Sequence, residues 1–178
     1  MVDLSKFNNE AFDRGAPSWK ELLWRMLQQG FFNVEWIKAL GLKRWILRRF
    51  GAKLETGVVV KPKAKITFPW KLTVGANSWI GEEAWLLNLE HITIGSNVCI
   101  SQRAFLCTGS HDWAKESFDL IVKPIIIEDG AWICADVFIG SGVTVGENSV
   151  VTAGSVVTKD LPPDSICSGN PCVAVKKR

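Results

Sequence analysis

A chain of 178 residues, 47% of them apolar, is long enough for one domain with its own core, or for a repeat array carrying an appendage. Its net charge of +3 is too small to argue for nucleic acid, and no stretch reaches the roughly 18 uninterrupted apolar residues of a membrane-spanning helix. Five cysteines, odd in number and without a C-x-x-C pair, weigh against a metal cluster or a disulfide framework and suit a reduced, cytoplasmic protein.

Residues 1–53 read as an N-terminal segment. The opening "MVDLSKFNNEAFDRG" lacks the charged-then-apolar order of a secretory leader. Over 17–50 the pattern predicts two helices, started by Pro17 and Ser18, broken near Gly30 or Asn33, and ended before Gly51. Trp19, Trp24, Phe31, Phe32, Trp36, Trp45 and Phe50 give them a large apolar content, and seven Lys/Arg residues stand against two Glu. Two readings fit. The helices pack over the neighbouring coils or another subunit, or they make a peripheral contact with the anionic inner face of a membrane.

Residues 54–162 carry a repeat. From Val74 the chain reads "VGANSW IGEEAW LLNLEH" and "IGSNVC ISQRAF LCTGSH", then, after a gap, "IEDGAW ICADVF IGSGVT VGENSV VTAGSV VTKDLP". An aliphatic residue opens every hexad: Val74, Ile80, Leu86, Ile94, Ile100, Leu106, Ile127, Ile133, Ile139, Val145, Val151 and Val157. A period of six fits neither an amphipathic helix nor an alternating strand carried this far. It fits short extended segments joined by turns, three to a coil, with the coils stacked as parallel strands ~4.8 Å apart.

Glycines after the aliphatic position, Gly75, Gly81, Gly95, Gly140 and Gly146, are expected where the backbone bends tightly or takes positive φ. A weaker first coil runs through Leu54, Val60 and Ile66, with a two-residue slip before Val74. The prediction is an all-β main domain, a parallel β-helix of hexapeptide repeats with an N-terminal helical segment. Trp79, Trp85, Phe105, Trp132 and Phe138 close their hexads, where outward aromatics suit a partner subunit.

The phase breaks strongly once, between Leu106 and Ile127, so that "DWAKESFDLIVKP", about 112–124, is extruded as a loop. His111 stands at its root. A lone histidine is more often structural than catalytic, although an imidazole, which titrates near neutrality, is suited to general-base work. Asp112 either orients that ring or caps the loop. His91 also ends a hexad, with no loop behind it, and reads as a solvent-facing corner residue. Residues 163–178 form a tail, in which "SGNPCVAVKKR" leaves the helix as an irregular turn. "GSGVTVG" has the glycines of a dinucleotide loop but lies inside the ladder, without the strand–turn–helix setting.

With "RRFGAKLETGVVVKPKAKITFPWKLTVG", "CTGSHDW", "VTAGSVVTKDLP" and "SGNP", the chain resembles the hexapeptide-repeat acyltransferases, and among them the colanic-acid-biosynthesis O-acetyltransferase group, over nearly its whole length. The resemblance implies a left-handed β-helix, although ordinary parallel crossovers are right-handed. It implies acetyl-CoA-dependent acetyl transfer to a saccharide hydroxyl in exopolysaccharide biosynthesis, with His111 as general base and no metal. It also implies a homotrimer with sites between neighbouring prisms.

For the donor, the resemblance implies Trp132 over the pantetheine arm, with Cys134 and Ala135 where relatives carry small residues. Ala153, Thr158 and Lys159 would meet the amide and adenosine ends, and Lys176 the 3′-phosphate. For the acceptor it implies Asn88. Cys134 is bulkier than the family's usual glycine, and nothing nearby suggests an acyl-cysteine. Two other readings compete: a non-catalytic β-helix used as an assembly platform, and a zinc protein like the γ-type carbonic anhydrases, which need three histidines where this chain has two.

Overall fold

The computed structural model describes residues 1–10, 12–32 and 40–178; the helix break at Asn33 and the Trp36 side chain lie outside them. Three parallel sheets form the sides of a prism. The first stacks Lys53–Leu54, Leu72–Val74, Ile92–Ile94, Ile125–Ile127 and Thr144–Val145. The second stacks Val59–Val60, Trp79–Ile80, Cys99–Ile100, Trp132–Ile133 and Val150–Val151. The third stacks Lys65–Ile66, Trp85–Leu87, Phe105–Cys107, Phe138–Ile139 and Val156–Val157.

Register puts each inward aliphatic directly over the next. Leu54 pairs with Val74, Val74 with Ile94, Ile94 with Ile127, and Ile127 with Val145. All twelve aliphatic openings are buried, and so are Leu54, Val60 and Ile66 of the first coil. Each such burial contributes about 2 kcal/mol. A single coil exposes its inner side chains to water, so the array is stable only as a stack.

The corners turn three residues after the inward aliphatic. Asn77, Asn97 and Asn148 hold φ of 58°, 58° and 55° there, and Gly142 holds 83°. The glycines expected to supply positive φ do not. Gly75, Gly81, Gly95, Gly140 and Gly146 have ordinary φ, and a Cβ on Gly75 would stand 2.6 Å from the backbone of Gly95 in the next coil. Close stacking of coils, rather than turn conformation, selects glycine at that place.

The first two edges of the prism keep the six-residue step, and every added residue falls on the third edge, where the third face returns to the first. There the chain inserts the short helix Pro69–Lys71, the segment 88–91, and the long arm. The arm is a β-hairpin and not an irregular loop. Gly109–His111 pairs antiparallel with Leu120–Val122, so it begins three residues before the expected position.

The tail also differs from expectation. Ser165–Gly169 pairs in parallel with Val150–Val151, and Cys172–Lys177 returns antiparallel to it. Buried Cys167 and Cys172 continue the apolar ladder, so this segment extends the second face instead of leaving it.

Two helices, α1 (Ser18–Leu27) and α2 (Leu40–Arg49), cap the first coil. Trp24, Phe32 and Leu47 are buried there. The Trp24 indole donates to the Ile66 carbonyl at 2.8 Å, and its ring meets Phe32 at 5.2 Å and Phe50 at 5.3 Å. Arg48 donates to the Leu54 carbonyl at 2.8 Å. The packing reading of the helices therefore holds for their inner side.

Candidate active site

The N-terminal segment lies along the third edge. The Trp70 indole donates to the Arg14 carbonyl at 2.6 Å, and the buried Lys71 ammonium donates to the carbonyls of Asp13 and Leu89, both at 2.7 Å. Phe12 and Phe68 flank that ammonium with their ring faces. Further out, the Asp3 amide donates to the Glu116 carbonyl and Lys6 pairs with the Glu116 carboxylate, each at 2.8 Å, so the segment also straps the tip of the hairpin.

Between that segment and the edge lies a cavity of about 910 Å³. Asn8 and Asn9 supply amides, Glu10, Asp13, Glu90 and Asp119 carboxylates, and Phe12 an aromatic ring. Lys71 and His91 complete its polar lining. A hydrogen bond from the His91 side chain holds the Glu90 carboxyl below its ordinary range, and Ser117 followed by Lys115 does the same for Asp119. Both acids are thus fixed as acceptors. His91 is exposed, as expected of a corner residue, but it also faces this cavity.

His111 is half-buried in the hairpin. Its Nδ1 lies 2.9 Å from the Phe118 carbonyl oxygen. A carbonyl only accepts, so Nδ1 carries the proton and Nε2 of the neutral ring is left with its lone pair. The Phe118 ring stacks on the imidazole at 4.3 Å and 4°, and Phe7 approaches its other surroundings at 5.7 Å. Leu120, directly across the hairpin from His111 and on the same side of it, lines the cavity.

Asp112 does not hold the ring. Its carboxylate accepts from the Ala114 amide at 3.1 Å and lies 4.0 Å from Lys115, so it caps the turn. The orienting group is the Phe118 carbonyl. Asn88 departs from its expected place against the acceptor. It is fully buried, accepts from the Phe68 amide at 2.9 Å and donates to the Phe68 carbonyl at 2.6 Å. Its amide is spent on fixing the 67–71 insertion, leaving no group for a ligand.

The residues expected to hold the donor lie elsewhere on the prism. Trp132 projects from the second face, its indole donating to the Ser101 hydroxyl at 2.9 Å beside a cavity of about 280 Å³. Lys176 stands on the same outward column, reached through Val150 and Ile166. Cys134, Ala135 and Ala153 occupy the second edge, with the Gly154 amide donating to the Ala135 carbonyl at 3.0 Å. Burial, then the neighbouring Cys99, pushes the Cys134 thiol up, which keeps it protonated and unsuited to attack. Thr158 and Lys159 are exposed on the third edge, beyond the hairpin. In one chain these groups do not share a groove with His111.

Lys71 and Phe118 are among the site residues that sequence reasoning missed, together with Asn9, Glu10, Phe12, Glu90 and Asp119 of the cavity lining. An unbroken apolar side chain inside a polar arm, and a lysine inside the "FPWK" slip, were the available signals.

Comparison with known proteins places this geometry. A bacterial transferase hexapeptide profile of six repeats matches residues 124–159. An Escherichia coli (strain K12) protein provisionally named colanic acid biosynthesis acetyltransferase WcaF is 44% identical over 181 residues, covering 100% of this chain and 98% of that protein. The hexapeptide-repeat acetyltransferase VCA0836 of Vibrio cholerae, solved with acetyl coenzyme A, superposes with a TM-score of 0.81 at 29% identity, covering 99% and 98% of the two chains. A maltose O-acetyltransferase of Clostridium difficile 630 gives 0.79 at 29% identity, covering 96% and 89%. The chain belongs to the hexapeptide-repeat family of acetyltransferases.

Proposed function

We propose that the protein transfers acetyl from acetyl-CoA to a hydroxyl of a saccharide in exopolysaccharide assembly, with His111 as the base. The observation that carries this reading is the Phe118 carbonyl on His111 Nδ1, which directs the lone pair of the neutral ring to Nε2, in a hairpin whose Leu120, paired across from His111, lines the large polar cavity. Amides and carboxylates around one aromatic ring suit the hydroxyls and apolar face of a sugar ring. The relatives that act on colanic acid biosynthesis and on maltose, and the acetyl-CoA held by the Vibrio cholerae protein, support the same substrates.

In the reaction, Nε2 takes the hydroxyl proton while the oxygen attacks the thioester carbonyl; the carbon–sulfur bond then breaks, and the proton passes from Nε2 to the departing sulfur, which leaves as the thiol of coenzyme A. Backbone N–H groups would hold the intermediate oxyanion. Trp132, Cys134, Ala135, Ala153 and Lys176 would bind the donor along the second face and edge. A homotrimer of parallel prisms, the second edge of one against the third edge of the next, brings them to His111. The five free thiols fit a cytoplasmic setting.

A thiol-release assay with acetyl-CoA and a panel of free, nucleotide-linked and lipid-linked saccharides tests the proposal. Release should depend on a saccharide, and acetyl-CoA should raise the melting temperature by mass action. A protein that neither binds acetyl-CoA nor releases thiol with any sugar would be the assembly platform instead.

A further inference from the structure

Helix α1 turns its apolar stripe outward. Trp19, Leu22, Leu23 and Met26 recur at the one-face spacing of an α-helix, yet they are 67%, 61%, 44% and 64% exposed. In a helix that only packs on its own domain, that stripe would face the core. Here the opposite side is anchored, through buried Trp24 and through Glu21, whose carboxylate pairs with Arg14 at 2.9 Å and with Arg25. The stripe is therefore held in solvent by the fold.

Helix α2 adds exposed Leu42 and Trp45, with the Arg49 guanidinium 5.2 Å over the Trp45 ring. It carries Lys43, Arg44, Arg48 and Arg49 and no acidic residue. The contact between Trp24 and Phe50 joins the two helices into one cap at the first-coil end of the prism. None of the residues of α1 or α2 lines the large cavity of the third edge.

We propose that this cap docks on an anionic lipid surface as a peripheral contact. A contiguous apolar stripe bearing tryptophans, flanked by arginines, matches the boundary between acyl chains and acidic headgroups. Pairing with a second copy of the same cap would set arginines against arginines, which charge complementarity disfavours. The one carboxylate on the described residues of α1 and α2, Glu21, is already buried and paired with Arg14 and Arg25. Among the described residues no helix is long and apolar enough to cross the membrane, so the contact lies in the interface.

Flotation of the full-length protein tests this directly. It should float with phosphatidylethanolamine vesicles containing phosphatidylglycerol, and at least ~10-fold less with phosphatidylcholine alone or at high salt. The double variant Leu22→Ser/Met26→Ser should lose roughly tenfold of the binding while keeping the melting temperature and the light-scattering mass of the parent. Arg49→Glu, which spares the α1 stripe, should also weaken it. Absence of flotation, equal flotation on neutral vesicles, or full flotation of the double variant would overturn the proposal. A fall in mass of the double variant without vesicles would overturn it too, by assigning the stripe to contact between copies.

Discussion

The Nδ1 atom of His111 meets the carbonyl oxygen of Phe118 at 2.9 Å, and the same residue lays its ring over the imidazole at 4.3 Å. One residue thus fixes both tautomer and ring plane. The hairpin makes this possible, because pairing His111 with Leu120 folds the arm back and brings the Phe118 carbonyl and ring to the imidazole. Replacing His111 with alanine should lower acetyl transfer at least ~100-fold while leaving acetyl-CoA affinity nearly unchanged, measured by initial rates and by calorimetry. Full activity in that variant would remove the base assignment.

Phe118 is a positioning residue. Phe118→Ala keeps the backbone carbonyl but removes the stacked face, so the ring gains freedom about its one remaining bond. We expect kcat to fall about tenfold, with the KM for acetyl-CoA unchanged and the melting temperature shifted little. Phe118 holds a φ of 50°, so Phe118→Gly should relieve backbone strain without rescuing kcat. Recovery of kcat in the glycine variant would show that strain, and not stacking, was the property removed.

Asn88 separates a structural role from a substrate contact. Asn88→Ala strands the Phe68 amide and carbonyl in a buried place, a loss of about 2–3 kcal/mol and roughly 5–10 °C in melting temperature for a chain of this size. The KM for the saccharide should not move at temperatures where the variant is folded. A raised saccharide KM with parental stability would return Asn88 to the acceptor site.

Lys71 ties the N-terminal segment to the prism through two carbonyls. Lys71→Met keeps the apolar contacts with Phe12 and Phe68 but frees the Asp13 carbonyl, so the segment that walls the large cavity loosens. The saccharide KM should rise about tenfold with the acetyl-CoA KM unaffected, because the residues proposed to bind the donor, Trp132, Cys134, Ala135, Ala153 and Lys176, lie on the second face and edge. Equal changes in both constants would place the two substrates on the same wall.

The solenoid was legible because its cause is local and repeated: one aliphatic residue every six positions, each buried when coils stack. The glycines show where that reading stopped. Their position in the hexad was visible, but their reason lies in the backbone of the next coil, which the hexad itself does not contain. The site was legible only in part for a similar reason. His111 could be placed at the root of an insertion, but its partner is a main-chain carbonyl seven residues on, and a carbonyl has no sequence signature. Asn88 is expected at the acceptor because the resemblance implies a polar contact near this place. It answers instead to the backbone of an insertion one coil earlier. The tail misled because its glycine and proline suggested an exit, whereas two buried cysteines draw it back onto the second face.

Lys43 offers a test that is independent of catalysis. It is buried under the helical cap with its ammonium 5.6 Å from the centre of the Phe32 ring, and burial lowers its pKa from the ordinary 10.5. A lysine whose folded pKa lies below its unfolded one destabilises the native state while it is charged. Between the two values the unfolded chain binds more protons, so stability rises with pH across that window and is lowest below it. Lys43→Met, similar in length and uncharged, should therefore melt at or above the parent at neutral pH, and the difference should shrink as pH climbs towards 10.5. Calorimetric melting of parent and variant at matched pH values measures this difference directly. A variant less stable than the parent at neutral pH, with a gap that does not change with pH, would mean that the ammonium is stabilised by the Phe32 ring by more than its burial costs.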